Sequence, residues 1–457
     1  MNRNSKVFQF VVISTGIYLA FSLVLSICNI SNPYLQNINL FSSIHKKEQE
    51  TKEKKEESEE LVGPNKPDGQ AISTNFLLYH KANYLTCFQA DTSQPSLPVF
   101  FQKLYEQKSG KQKRKIRIAY FGDSMIEGDL MTSTFRDSMQ KMFGGSGVGF
   151  VQVKSIVSGF RMTARTSTTG SWSEVHFKNS SEKNLYLSGY AFKSGQAGFT
   201  CTNNVVNDSL ALIEKSLLCG YSPQQNNLLI NHTSFTFNPS AIVNRILMAK
   251  DNRQSVSIDF PASELPVYGV SFESESGVIV DNFSFRGITG VEFNRIDSNF
   301  LKAIQQANHY DLIILQYGVN LLFKPNEKNF RPYQKSISNV VGKFKNCFKD
   351  ADILIVSGAD RAFRYGQEYK TAIGLDSLIK IQAELAFRNE AAFFNLYETM
   401  GGPNSIVNWA RVSPPLANKD YVHPNGRGAA ILGSRLFLSF KREYDKYLKT
   451  TAKNNHE

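Results

Sequence analysis

Ser124 stands in Gly122-Asp123-Ser124, directly behind the apolar and β-branched run Ile116-Arg117-Ile118-Ala119-Tyr120-Phe121. A strand that runs out at a glycine, followed by a serine on a turn and then a helix, puts a hydroxyl at the carboxyl end of that strand. Open α/β sheets place their active sites there. A serine hydroxyl is a weak nucleophile until a base takes its proton, a third group orients that base, and donors hold the developing oxyanion. Asp420-Tyr421-Val422-His423 offers the base and its orienting carboxylate, three residues apart and able to meet on one turn. Gln316-Tyr317-Gly318-Val319-Asn320 ends another apolar run, where the Asn320 amide either points at an oxyanion or caps a turn. Arg286-Gly287-Ile288-Thr289-Gly290 follows a further run, and its glycines either bring a backbone N–H close to a ligand or form a plain turn.

The elements that must position these residues follow from periodicity. Strand-like runs fall at 116–121, 278–283, 312–317, 353–356 and 392–396. Helical patterns lie after or between them, at 135–143, 294–308, 336–348, 375–389 and 426–447, and a further helix is expected over 97–105. Strand alternating with helix predicts an α/β fold, a doubly wound parallel five-stranded sheet. Between the first two strands, from Gly145 to about Glu275, no long helical pattern occurs. Short β-type runs appear instead at 185–187, 235–237, 256–258 and 268–272, punctuated by Asn, Ser, Gly and Pro. The expectation is an inserted all-β, sandwich-like domain over 146–275. Trp172 and the Tyr and Phe residues of this stretch either stack on sugar rings or fill its core.

The chain has 457 residues, 41% of them hydrophobic, with a formal net charge of +12. The cations are scattered, which speaks against a nucleic-acid stripe. The dense basic run Lys111-Gln112-Lys113-Arg114-Lys115 reads as the solvated entrance of the first strand. At the amino end, Arg3 and Lys6 precede an uncharged stretch whose apolar part, 10–30, is long enough to span a bilayer. Residues 1–44 are therefore expected to form an anchor with a transmembrane helix at about 7–30. The N-terminus would lie inside and the body outside the cytoplasm, with a cleaved signal peptide and secretion as the rival. Residues 46–60 hold five Lys and seven Glu without an apolar position, so 45–70 reads as a charged linker. Five cysteines occur without a CxxC pair; Cys201 and Cys219 are either bridged or buried as thiols. No His, Asp or Glu spacing points to a metal, and no cofactor is implied. Asp123, Glu127 and Asp129 cluster as a glycosidase pair might, but a loop and a helix N-terminus explain them more simply.

Taken in order, Gly-Asp-Ser, the glycine Gly290, Gly318-Val319-Asn320 and Asp420-Tyr421-Val422-His423 resemble the blocks of the SGNH, or GDSL-type, hydrolase superfamily. The resemblance covers 115–143 and roughly 277–447, so the hydrolase domain would comprise 71–145 and 276–450. It departs at Leu321, where the family has Asp, and at Phe285, where it has Asn. The resemblance implies a flavodoxin-like fold, with Ser124 as nucleophile, His423 as base and Asp420 as its orienting acid. It implies an oxyanion site made by the backbone N–H groups of Ser124 and Gly290 and the amide of Asn320. Arg286 and Gly287 are then candidates for substrate contact. A narrower resemblance is to bacterial membrane-anchored cell-envelope O-acetylesterases and O-acetyltransferases with a β domain between the first two blocks. In that group Gly401-Gly402-Pro403-Asn404-Ser405, Trp409 and Pro414-Pro415-Leu416-Ala417 would form a loop over the site. The substrate implied is an O-acylated glycan in the cell envelope, outside the inner membrane, with a membrane-bound O-acyltransferase as a partner if the direction is transfer. A non-catalytic glycan-binding or scaffold protein and a lipase-like acylhydrolase are the other function classes.

Overall fold

The computed structural model describes residue 15 and residues 76–88, 94–155, 158–205 and 211–454. Apart from residue 15, the expected anchor and charged linker lie outside these residues. Among the described residues no helix is long and apolar enough to cross a membrane.

Five parallel strands form the main sheet: β1 (Lys115–Gly122), β2 (Gly277–Ser284), β3 (Tyr310–Gln316), β4 (Asp352–Val356) and β5 (Ala392–Phe394). The sheet is six-stranded rather than five-stranded, because Leu85–Thr86 adds a short antiparallel edge against β5. So short a strand leaves no periodicity to read. Across the sheet the order is edge, β5, β4, β3, β1, β2. The chain steps from β1 to β2 on one side and then returns to β3 on the other, so β1 and β3 flank the topological switch point. Gly122 is paired with both Ser284 and Gln316, so three strands end level at the loops that carry Ser124, Arg286 and Asn320.

The strands are buried on both faces. Ile116, Ile118 and Tyr120 of β1 face one apolar cluster and Ala119 and Phe121 the other. The first cluster is covered by α1 (Leu130–Phe143) and α5 (Gly426–Asn454), through Phe135, Met139, Leu436 and Phe440. Pro98–Lys108 joins them by Phe100, Phe101 and Leu104. The second is covered by α2 (Ser298–Asn308), α3 (Arg331–Cys347) and α4 (Leu375–Arg388). The helix expected over 294–308 is broken: a 3₁₀ turn, Val291–Arg295, precedes α2, which starts at Ser298 where the Asp297 carboxylate accepts from the N–H groups of Asn299 and Phe300. A short helix, Leu396–Met400, follows β5, and the segment expected as a loop over the site contains a second, Ser405–Arg411, with Trp409 buried against the first cluster.

Between β1 and β2 lies a nine-stranded antiparallel sheet. Thr233–Phe237, Asn226–Ile230, Ser255–Ala262, Tyr190–Asn203 and Ala164–His176 form one layer, and Val243–Asp251, Ile213–Gly220, Val267–Glu273 and Gly149–Gln152 the other. The layers join through one residue pair, Val267 with Phe192, and enclose Phe199, Leu217, Val256, Ile258, Val270 and Phe272. The run 185–187 is not a strand; its side chains are buried in a loop packed against the main parallel sheet. Trp172 fills the core, edge-on to Phe192 and Phe260. Cys201 and Cys219 are buried, unbridged thiols.

The basic run at the start of β1 is a solvated entrance only in part: Lys111, Gln112 and Lys113 are exposed, while Arg114 and Lys115 are drawn into ion pairs. Arg114 pairs with Asp311 at 2.6 Å, and Lys115 with Glu214 and Glu273 of the insert at 2.5 and 2.8 Å. Glu273, 1% exposed, also receives Arg117 of β1, Arg245 at 2.8 Å and the Ser271 hydroxyl at 2.7 Å. Burial works to raise its carboxyl, but the Arg117, Arg245 and Lys115 charges outweigh burial and hold it well below the usual range. Beside it, Asp281 of β2 accepts from Phe150 N–H and Tyr310 OH, both at 2.7 Å. The insert is thus joined to the sheet by a buried ionic cluster.

Candidate active site

Gly122 ends β1 because nothing larger fits: a Cβ there would lie 2.8 Å from the Ile126 side chain and 3.1 Å from the Gln316 carbonyl. The chain then turns through Asp123 and Ser124 and a 3₁₀ turn, Glu127–Asp129, before α1. On the other side of the cleft, Ala417 and Pro424 pair as an isolated bridge, and the turn between them presents Asp420 and His423. The Asp420 carboxylate builds that turn: its Oδ1 accepts from the N–H groups of Val422 at 2.9 Å and His423 at 3.0 Å. Its Oδ2 stands 2.7 Å from His423 Nδ1, and His423 Nε2 stands 2.9 Å from Ser124 Oγ. Burial works to raise the Asp420 carboxyl, but the bonds from His423 and the two backbone N–H groups prevail and hold it below the ordinary carboxylate range. The relay is accessible, with the side chains of His423 and Asp420 35% and 45% exposed.

These three residues and Arg286 line one open cleft of about 470 Å³. Arg286 donates to the Glu127 carboxylate, from Nε at 2.8 Å, and Glu127 is nearly buried beneath it. Gly287, Gly290 and Asn320 do not line this cleft. Gly287 sits under the Lys178 ammonium, at φ +76. Gly290, at φ +90, faces the Tyr317 ring, which a Cβ would strike at 2.7 Å. The Asn320 amide donates to Asp123 Oδ2 at 3.0 Å and to the Ile288 carbonyl at 2.9 Å, tying together the loops after β1, β2 and β3.

The three acids after β1 have separate partners. Asp123 is fully buried, accepts also from Met125 N–H at 3.0 Å, and faces no cation; burial pushes its carboxyl up to about 7, with the Glu127 charge adding to the rise. Glu127 belongs to Arg286. Asp129 does not cap the helix: it adopts left-handed backbone and buries its carboxylate against Arg136, Arg161, Thr132 and Thr163. Burial would raise it, but the arginines bring it down to about 2. The glycosidase-like cluster is accounted for in structural terms.

Two contributors were not read from the sequence. The hairpin Ala362–Tyr365 and Glu368–Thr371 braces the turn that carries Asp420 and His423, with Ala362 N–H donating to the Tyr421 carbonyl at 3.0 Å and Tyr369 packed on Tyr421 at 4.4 Å between centroids. Its neighbour Arg361, anchored on the Val319 carbonyl at 2.7 Å, brings a cation near Asp420. Neither has a periodic signature, because the hairpin strands are short and partly exposed. Phe285, which stands in place of the family's Asn, packs on His176, Phe177 and Tyr190 of the insert.

The parallel sheet, with a serine on the loop after β1 and an Asp-x-x-His turn facing it, resembles the fold of SGNH-type hydrolases. Among solved structures, the chain is similar to a peptidoglycan O-acetylesterase, with a TM-score of 0.65 and 21% identity over 79% of this chain and 99% of that one. Two weaker likenesses are to a family two carbohydrate esterase from Cellvibrio japonicus (TM-score 0.27, 10% identity, 62% of this chain and 99% of that one) and to an acetyl xylan esterase (TM-score 0.27, 13% identity, 35% and 80%). No protein-family model and no curated protein matches the sequence.

Proposed function

We propose that the protein is a serine esterase that removes, or transfers, O-acetyl groups on a polysaccharide or peptidoglycan outside the cytoplasm. The observation that carries this is the Ser124–His423–Asp420 relay, at 2.9 and 2.7 Å, opening onto a cleft. The likeness to a peptidoglycan O-acetylesterase supports the choice of ester.

Ser124 Oγ attacks the acetyl carbonyl carbon while its proton passes to His423 Nε2. The charge that forms on the carbonyl oxygen is met by the N–H groups of Ser124 and Gly290 and by the Asn320 amide, which shares a proton now given to Asp123 or Ile288. Collapse breaks the bond to the sugar oxygen, and His423 returns the proton to that oxygen. Asp420 keeps His423 in the tautomer with its proton on Nδ1 throughout. Water, or a sugar hydroxyl in the transferase direction, then attacks the acetyl-enzyme with His423 again as base. The apolar run 10–30 would tether this chemistry to the membrane, the domain standing outside the cytoplasm.

Acetate release from p-nitrophenyl acetate and from O-acetylated peptidoglycan tests the reading. Turnover by wild type and none by S124A is expected; equal turnover by S124A overturns it. Mass spectrometry of envelope glycans decides the direction, since deletion raises acetyl content for an esterase and lowers it for a transferase.

A further inference from the structure

The cleft has one wall that belongs to the insert. Phe160, at the end of the 3₁₀ turn Ser158–Phe160, lines it together with Ser124, Gly128, Leu130, Arg286 and His423. Phe160 is 73% exposed, and Met162, two residues on, is 75% exposed. A large apolar side chain left in water on the wall of a cleft that also holds Ser124 marks a surface for a ligand to cover.

The backbone that carries Phe160 is held in place. The residues that follow Phe160 are bolted to the turn that follows the nucleophile: Thr163 Oγ1 donates to Asp129 Oδ2 at 2.6 Å, and Arg161 pairs with Asp129 at 3.6 Å. Asp129 is itself fixed by Arg136 at 2.5 Å. The backbone of Phe160 lies over Gly128, its carbonyl 3.7 Å from where a Cβ would stand. Phe160 therefore keeps a set position relative to Ser124. Arg286 lines the same cleft; its Nε and Nη2 are committed to Glu127, so Nη1 keeps its protons for a ligand. An exposed aromatic face joined to a fixed donor fits one chemical class well. A pyranose ring offers C–H groups on one face for the aromatic and oxygens at its edge for the guanidinium.

We propose that Phe160 is a substrate-binding residue on which the sugar carrying the acetyl ester stacks, so that the inserted domain supplies one wall of the catalytic substrate site. This rests on the O-acetyl glycan reading above and names the unit it recognises: the acetylated pyranose itself.

The test compares kcat/KM for an O-acetylated chitooligosaccharide with that for ethyl acetate, which has no ring to stack, in full-length wild type, F160A and F160W. F160A should lower the ratio of the two by about 10- to 100-fold, chiefly through KM, as expected for losing the burial of one aromatic side chain. F160W should restore it. An unchanged ratio in F160A, with wild type active on the glycan, overturns the stacking role. So does an equal loss on both esters, which would mark a structural role. Wild type that hydrolyses ethyl acetate but no acetylated glycan overturns the glycan reading, and the stacking role with it.

Discussion

The cleft around Ser124 and the ionic cluster around Glu273 use the same kinds of side chain to opposite ends. In the cleft, His423 and Asp420 keep more than a third of their side-chain surface in water, and Ser124 has one partner, the base. Around Glu273 an acid 1% exposed is met by three cations and a hydroxyl. Saturated charges inside the protein fix geometry and do no chemistry. The side chains of Ser124, His423 and Asp420 are held in one relay by few bonds, and His423 and Asp420 stay partly open to solvent. The insert takes part in both regions, through Glu273 in the core and through Phe160 at the cleft.

Four experiments press on that difference. The largest effect belongs to the cleft: S124A should lower acetate release by about five to six powers of ten, with the thermal midpoint unchanged. A fall in that midpoint would mean that Ser124 is part of the scaffold. Next comes the core. E273Q leaves Arg117 and Arg245 without their carboxylate and should cost about 3–5 kcal/mol in chemical denaturation, while kcat/KM per folded molecule stays at the wild-type value. N320A comes third, since this amide ties three loops and is the proposed side-chain donor to the oxyanion. It should lower kcat by about 10²–10³, with a smaller change in KM. The smallest effect is a slope. The folded chain holds the Asp123 proton up to about pH 7, whereas the unfolded chain releases it near 3.8. This group therefore stabilises the fold at low pH, and its contribution fades as pH rises to and through about 7. The melting temperature of D123N minus that of wild type should climb from pH 5 to pH 8; a flat difference would show that Asp123 is ionised throughout.

Much of the frame is legible in the sequence because it is periodic or buried on both faces. Strands 116–121, 278–283 and 353–356 each lie within one residue at either end of the observed β1, β2 and β4. The Ser, Asp and His of the relay are legible too, because each sits on a turn next to a recognisable element. What escaped is what tertiary contacts decide. The edge strand Leu85–Thr86 and the hairpin that braces His423 are too short to show a period. The run 185–187 looks like a strand because it is apolar, but its surface is spent on packing against the hydrolase sheet. Lys111-Gln112-Lys113-Arg114-Lys115 looks solvated because its acidic partners, Glu214, Glu273, Glu275 and Asp311, lie far along the chain. Asn320 is a natural oxyanion donor by position, yet its present partners, Asp123 and Ile288, become visible only in three dimensions.

The splice between β1 and β2 also sets an order of events during folding. These strands are neighbours and pair in parallel from Lys115 with Gly277 to Gly122 with Ser284, yet the whole insert lies between them in sequence. Closing so long a loop as a random chain is slow. A ribosome that has released β1 must still synthesise every strand of the insert before β2 arrives. The insert has its own core, and its first strand, Gly149–Gln152, pairs with Val267–Glu273 near its end, so it is the part that can collapse first and shorten the gap. Ser124 would then emerge early, and its loop would meet those of Gly290 and Asn320 only late, so the nascent chain carries its nucleophile for some time without the rest of its site.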